Sequence, residues 1–157
     1  MADYIGLSES RVAFFHGKSS NRIFSASAFQ DVVGQALKNL GNILPTDDQW
    51  YLKENLWNQT YNNNNSRTQI SRIRTGQTSV ELISYYKKVR TYPNLKKVIY
   101  LVINFISKSQ LEINLNKLKN NEVFRERNEV IQILWIISSL ISSCNEANAE
   151  VYICCKP

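Results

Sequence analysis

A chain of 157 residues, 43% hydrophobic and 11% aromatic with five Gly and three Pro, is sized for one domain and excludes a disordered or low-complexity protein. Three cysteines, two of them adjacent (Cys154, Cys155), exclude a disulfide framework, and the longest apolar stretches, 98–106 and 130–141, fall short of the ~18–20 residues of a membrane span. The 19 basic and 13 acidic residues give a net charge of +6, and eight of the basic ones crowd into residues 67–97 with Glu81 as the only acid.

Near the N-terminus, 12–15 and 22–24 are short apolar runs on either side of His16, Gly17 and Asn21, which predicts a β-hairpin. A helix follows, capped by Ser27. Phe29, Val32, Val33, Ala36, Leu37 and Leu40 recur along one face and Gly41 stands at its end. Thr46 and Gln49 have capping-box spacing for a second helix, with Asp47 and Asp48 at its positive end and Trp50, Trp57 and Tyr61 as an aromatic stripe. Four asparagines at 62–65 break the pattern. Residues 66–75 then read as a short helix with Ile70 and Ile73 inward, stopped by Gly76.

Thr78 and Glu81 form another capping box, placing Leu82, Ile83, Tyr86 and Val89 on one helical face. After Pro93, the spacing of Leu95, Val98, Ile99, Val102, Phe105 and Ile106 predicts a buried helix, a buried strand being the alternative. From Ser109 the pattern fits helix and strand equally. A last helix is expected over 122–143 with Val123, Val130, Ile131, Leu134, Ile137 and Ile141 inward, and a strand over 150–155. The resulting expectation is a mainly α protein: one helical domain over 1–157, with a short N-terminal β-hairpin and a candidate C-terminal strand.

Concentrated positive charge is the footprint of a phosphate-bearing or acidic partner. Within Ser66–Gln77, the order of Ser66, Ile70, Ser71, Ile73 and Gly76 resembles the recognition helix of phage-repressor (Cro-like) helix-turn-helix families, over about residues 66–89. That resemblance implies a helix whose outer face, Arg67, Gln69, Arg72 and Arg74, enters a major groove, with Arg reading guanine and Gln adenine. Lys87, Lys88, Arg90, Lys96 and Lys97 would add phosphate contacts. Tyr85 and Tyr92 lie among these cations and can stack on unpaired bases, which keeps single-stranded RNA in view.

The expected function is therefore a small basic nucleic-acid-binding protein, a DNA-binding regulator using the 66–77 helix, with duplex DNA as the favoured partner. Two alternatives stand beside it. One is a helical protein–protein interaction or assembly subunit meeting an acidic protein surface. The other is an RNA-binding protein or metal-independent ribonuclease, with His16 as base and Lys18 and Arg22 on the phosphate. The Gly17-Lys18-Ser19 run invites a phosphate-loop reading, but Val12 stands where that motif needs Gly or Ala, and a hairpin turn explains it better. One His and three Cys match no zinc spacing. No cofactor, metal or catalytic residue is expected. Residues 1–8 carry no signal-peptide pattern, the expected compartment is the cytoplasm, and homo-oligomerisation is left open.

Overall fold

The chain begins in a hairpin, β1 (Tyr4–Ser8) running antiparallel to β2 (Arg11–Lys18) with Tyr4 opposite Phe15 and Ser8 opposite Arg11. The structure, a computed structural model, describes residues 2–63, 66–75 and 78–157, with the backbone only at Asn63 and Arg67. The hairpin lies earlier than the sequence pattern suggests. Residues 22–24 form no strand, and Phe24 instead adopts a positive φ of 53° before Ser25 caps α1 (Ala26–Leu40) by accepting from the Ala28 amide. Ser25 and not Ser27 is the cap, because the helix already begins at Ala26 and Ser27 lies within its first turn, its hydroxyl 3.2 Å from that of Ser25. Phe29, Val32, Val33 and Ala36 are buried as their spacing requires.

The next segment holds α2 (Asp47–Trp57), β3 (Thr60–Asn63), β4 (Ser66–Ser71) and α3 (Ser79–Val89). Both expected capping boxes form, Thr46 with Gln49 and Thr78 with Glu81. Residues 66–75, expected as a helix, do not make one. Ser66–Ser71 is a strand paired antiparallel to β3, with Asn62 opposite Arg67. A strand has no three-residue repeat to bring Ile70 and Ile73 onto one face, and Ile70 is 47% exposed. Gly76, the expected helix stop, and Asn64 and Asn65 of the expected break lie outside the described residues.

Residues 96–107 overturn the second helical reading. They form β5 (Lys96–Ser107), followed by α4 (Lys108–Lys119), α5 (Arg127–Glu146) and β6 (Ala149–Lys156). β5 is parallel to β2 on one side and to β6 on the other, giving a four-stranded sheet of order β1-β2-β5-β6. A strand paired on both sides within parallel neighbours is a near-continuous apolar run, and such a run mimics helical spacing. The protein is accordingly mixed α/β, not mainly α.

The crossovers β2-α1-β5 and β5-α4-α5-β6 advance in the same direction across the sheet. Right-handed connections of that kind lay their helices on one face. That face carries Val12, Phe14, His16, Ile99, Leu101, Ile103 and Phe105, all buried, under α1 and α5. On the other face Tyr4, Phe15, Tyr100 and Tyr152 stand in register, one on each strand. Phe15 stacks on Tyr100 (centroids 4.7 Å) and Tyr100 on Tyr152 (5.3 Å). Small residues leave room for the row, since the Phe15 ring lies 3.4 Å from where a Cβ on Gly6 would sit.

The chain divides into two compact units, Met1–Ile43 with Lys96–Pro157, and Leu44–Leu95. The second falls between α1 and β5 in sequence. Its core is aromatic. Trp50, 2% exposed, meets Trp57 (5.9 Å) and Tyr86 (4.6 Å) edge to face, a geometry that aromatic quadrupoles favour.

Candidate nucleic-acid interface

The basic window does not fold as one surface element. Arg67, Arg72, Arg74, Lys87, Lys88 and Arg90 belong to the Leu44–Leu95 unit, whereas Lys96 and Lys97 begin β5 in the other. Several of these cations also have intramolecular work. Lys87 pairs with Asp47 at 2.8 Å, and that ion pair holds the Asp47 carboxyl below the usual range. Arg90 donates to the Pro45 carbonyl. Lys97 donates to the carbonyl of Ala147 at the end of α5, where a cation complements the helix dipole.

What remains outward on the Leu44–Leu95 unit is a smaller set. Gln69 on β4, Arg74 beyond it and Lys88 in the last turn of α3 are exposed. Arg72 is half-buried, its guanidinium 5.6 Å above the Tyr61 ring on β3, a cation–π contact across the ribbon. The ribbon is braced by Thr68, whose hydroxyl donates to the Tyr61 carbonyl and accepts from the Ile70 amide. Arg67 is placed by its backbone on β4, opposite Asn62. Lys96 is exposed at the start of β5, in register with Arg11 on β2. Tyr85 is half-buried on α3 and Tyr92 39% exposed beyond it.

The helix-turn-helix geometry needs a helix at 66–75, and this segment is a strand over Ser66–Ser71 with no helix after it up to Thr75. A two-stranded antiparallel ribbon is nevertheless a groove-sized element. The residues expected on a helix, Arg67 and Gln69, stand instead on β4. The signal passed over was the run of Thr and Ser flanking four asparagines, a composition that suits a hairpin as well as a break.

The other candidates are taken up by the fold. His16 lies on the helix-covered side of β2 at 1% exposure. Burial lowers its pKa, only partly opposed by Asp3, so the imidazole is neutral but out of reach of a substrate. Lys18 pairs with Asp31 and Arg22 with Glu129. The Gly17 amide, which a phosphate loop would aim at its ligand, donates to Asp3 Oδ2. Gly17 and Lys18 belong to β2, so the hairpin turn expected here is also corrected. Among the described residues, strands β2, β5 and β6 follow one another without the reversal of order that marks a switch point in α/β folds. Among the described residues no three His, Cys, Asp or Glu side chains gather as metal ligands, and no helix is long and apolar enough to cross a membrane.

No protein-family model, curated protein or solved structure matches this chain. The fold and the charge distribution carry the functional reading by themselves.

Proposed function

We propose that this is a small basic nucleic-acid-binding protein that grips duplex DNA through the Leu44–Leu95 unit, with the β3–β4 ribbon doing what was expected of a helix. The supporting observation is the exposed cationic set on that unit. It holds seven basic and four acidic residues, a net of +3, and Arg74 and Lys88 have no acidic partner among the described residues. Ribbons of two strands enter the major groove in several known binding modes. Gln69, exposed on β4, can meet an adenine edge, while Arg74 and Lys88 meet phosphates.

A titration of duplex DNA and single-stranded RNA at about 50 mM and about 200 mM salt tests this, because each phosphate contact contributes roughly 0.9 to the log–log salt slope. Joint replacement Arg74→Glu and Lys88→Glu should weaken duplex binding and flatten that slope, whereas Lys38→Glu on α1 should change little. Binding that ignores salt, or an unchanged affinity in the double variant, would turn the reading toward a protein partner. Tighter binding of the RNA would replace duplex DNA as the ligand.

A further inference from the structure

We propose that the protein forms a two-fold homodimer through antiparallel pairing of β6 with β6 of a second copy, backed by contact between the two α5 helices. β6 is the last strand of the sheet, and its outer edge has no strand neighbour among the described residues. Proteins ordinarily blunt such an edge with a charge, a proline or a bulge in its middle. Here Val151, Tyr152, Ile153, Cys154 and Cys155 form an uncharged run, and the charges stand only toward the ends, at Glu150 and Lys156.

Those end charges make the strand complementary to itself. An antiparallel pair centred on Ile153 places Glu150 of each copy opposite Lys156 of the other, giving an opposite-charge cross-strand pair at both ends. The same register sets residues of like parity opposite one another. Each face of the sheet therefore continues into the second copy, with both sets of helices on the same side. Tyr152, 48% exposed and the last ring of the aromatic row, comes diagonal to its counterpart, within the reach of large side chains.

The second, independent observation is on α5. Its inner face is Val130, Ile133, Leu140 and Cys144. A separate stripe, Leu134, Trp135, Ser138 and Ile141, lies on the same helix, with Trp135 74% and Ile141 44% exposed. Glu129 reaches Arg22 beyond the end of β2, so that side of α5 looks toward β2. Ser138 is about half a turn round the helix from Glu129. The stripe therefore looks toward β6 and its open edge. Pairing of the edges would carry the two stripes toward each other, with Ser138 and Ser142 allowing close approach of the helices.

Sedimentation equilibrium of the full chain without nucleic acid tests the proposal separately from the binding function. Wild type should sediment at twice the chain mass. Trp135→Glu and Lys156→Glu, both at exposed positions, should each give monomers with unchanged far-UV circular dichroism. The double variant Glu150→Lys with Lys156→Glu swaps the charges and should restore the dimer. A monomeric wild type at all concentrations up to about 100 μM, a dimer indifferent to the single variants, or failure of the double variant to recover would each overturn it. The first of these outcomes would leave the edge to a strand of different sequence.

Discussion

His16 is in the core, its Nε2 without a hydrogen-bond partner among the described residues, and burial depresses its pKa. The unfolded chain takes up a proton near 6.5 that the folded protein resists. Stability should therefore be full above that value and decline as pH falls through it. Denaturant midpoints at about pH 7.5 and about pH 5.5 should differ for wild type and converge for His16→Leu; a persistent difference in the variant would assign it to the carboxylates. Lys97 and Lys88 make a second residue-level contrast, because they share one basic window and have different duties. Lys97→Met removes a charged donor from the end of α5 and should cost roughly 1 kcal/mol while leaving nucleic-acid affinity alone. Lys88→Met should do the reverse.

Among the elements, α5 shows how two apolar stripes on one helix differ in meaning. Ile133→Ala should cost about 2–5 kcal/mol through the cavity it leaves. Trp135→Ala, only two residues away, should change the stability of the monomer by no more than about 0.5 kcal/mol, since that ring contributes little to the fold. Thermal melts of the two variants at low protein concentration compare them directly. At α3, Thr78→Ala removes the hydroxyl that accepts from the Glu81 amide and donates to its carboxylate, and should destabilise the Leu44–Leu95 unit by about 1 kcal/mol. Of the inner face of α5 only Val130 was legible in the sequence, and Ile141, expected beside it, is 44% exposed. Nothing in the sequence distinguishes Ile133 from Ile131 or Leu134 until the sheet below chooses a side, and Val123, expected inward, is 95% exposed and precedes the helix.

At the scale of the molecule, the sheet sets the hierarchy of stability. β5 is paired along both edges, and its residues Ile99 and Leu101 are fully buried, whereas β1 and β6 are edges and β3–β4 is a two-stranded ribbon. Amide hydrogen exchange should be slowest across Val98–Phe105 and fastest in β3 and β4. Comparable protection in the ribbon would mean that it is held by more than its own pairing. The topology has a further consequence. Two crossovers advancing in one direction cover only one face, so the row of Tyr4, Phe15, Tyr100 and Tyr152 is left on a face that parallel sheets usually bury.

The local signals in the chain determined where α2 and α3 begin. Both capping boxes form where Thr46–Gln49 and Thr78–Glu81 predict them, because each is a bond between residues three apart that needs no distant partner. Most of the face of α1 follows for the same reason, with Phe29, Val32, Val33 and Ala36 buried at helical spacing. The basic window was equally legible as composition, and its division between two units was not. Three matters were decided only by tertiary structure. Residues 96–107 became a strand because β2 and β6 flank them, residues 66–71 became a strand because β3 pairs with them, and the outer stripe of α5 was left open because α1 and the sheet occupy the other side. Each depends on which surfaces meet across long sequence separations, and that information is absent from any short window of the chain.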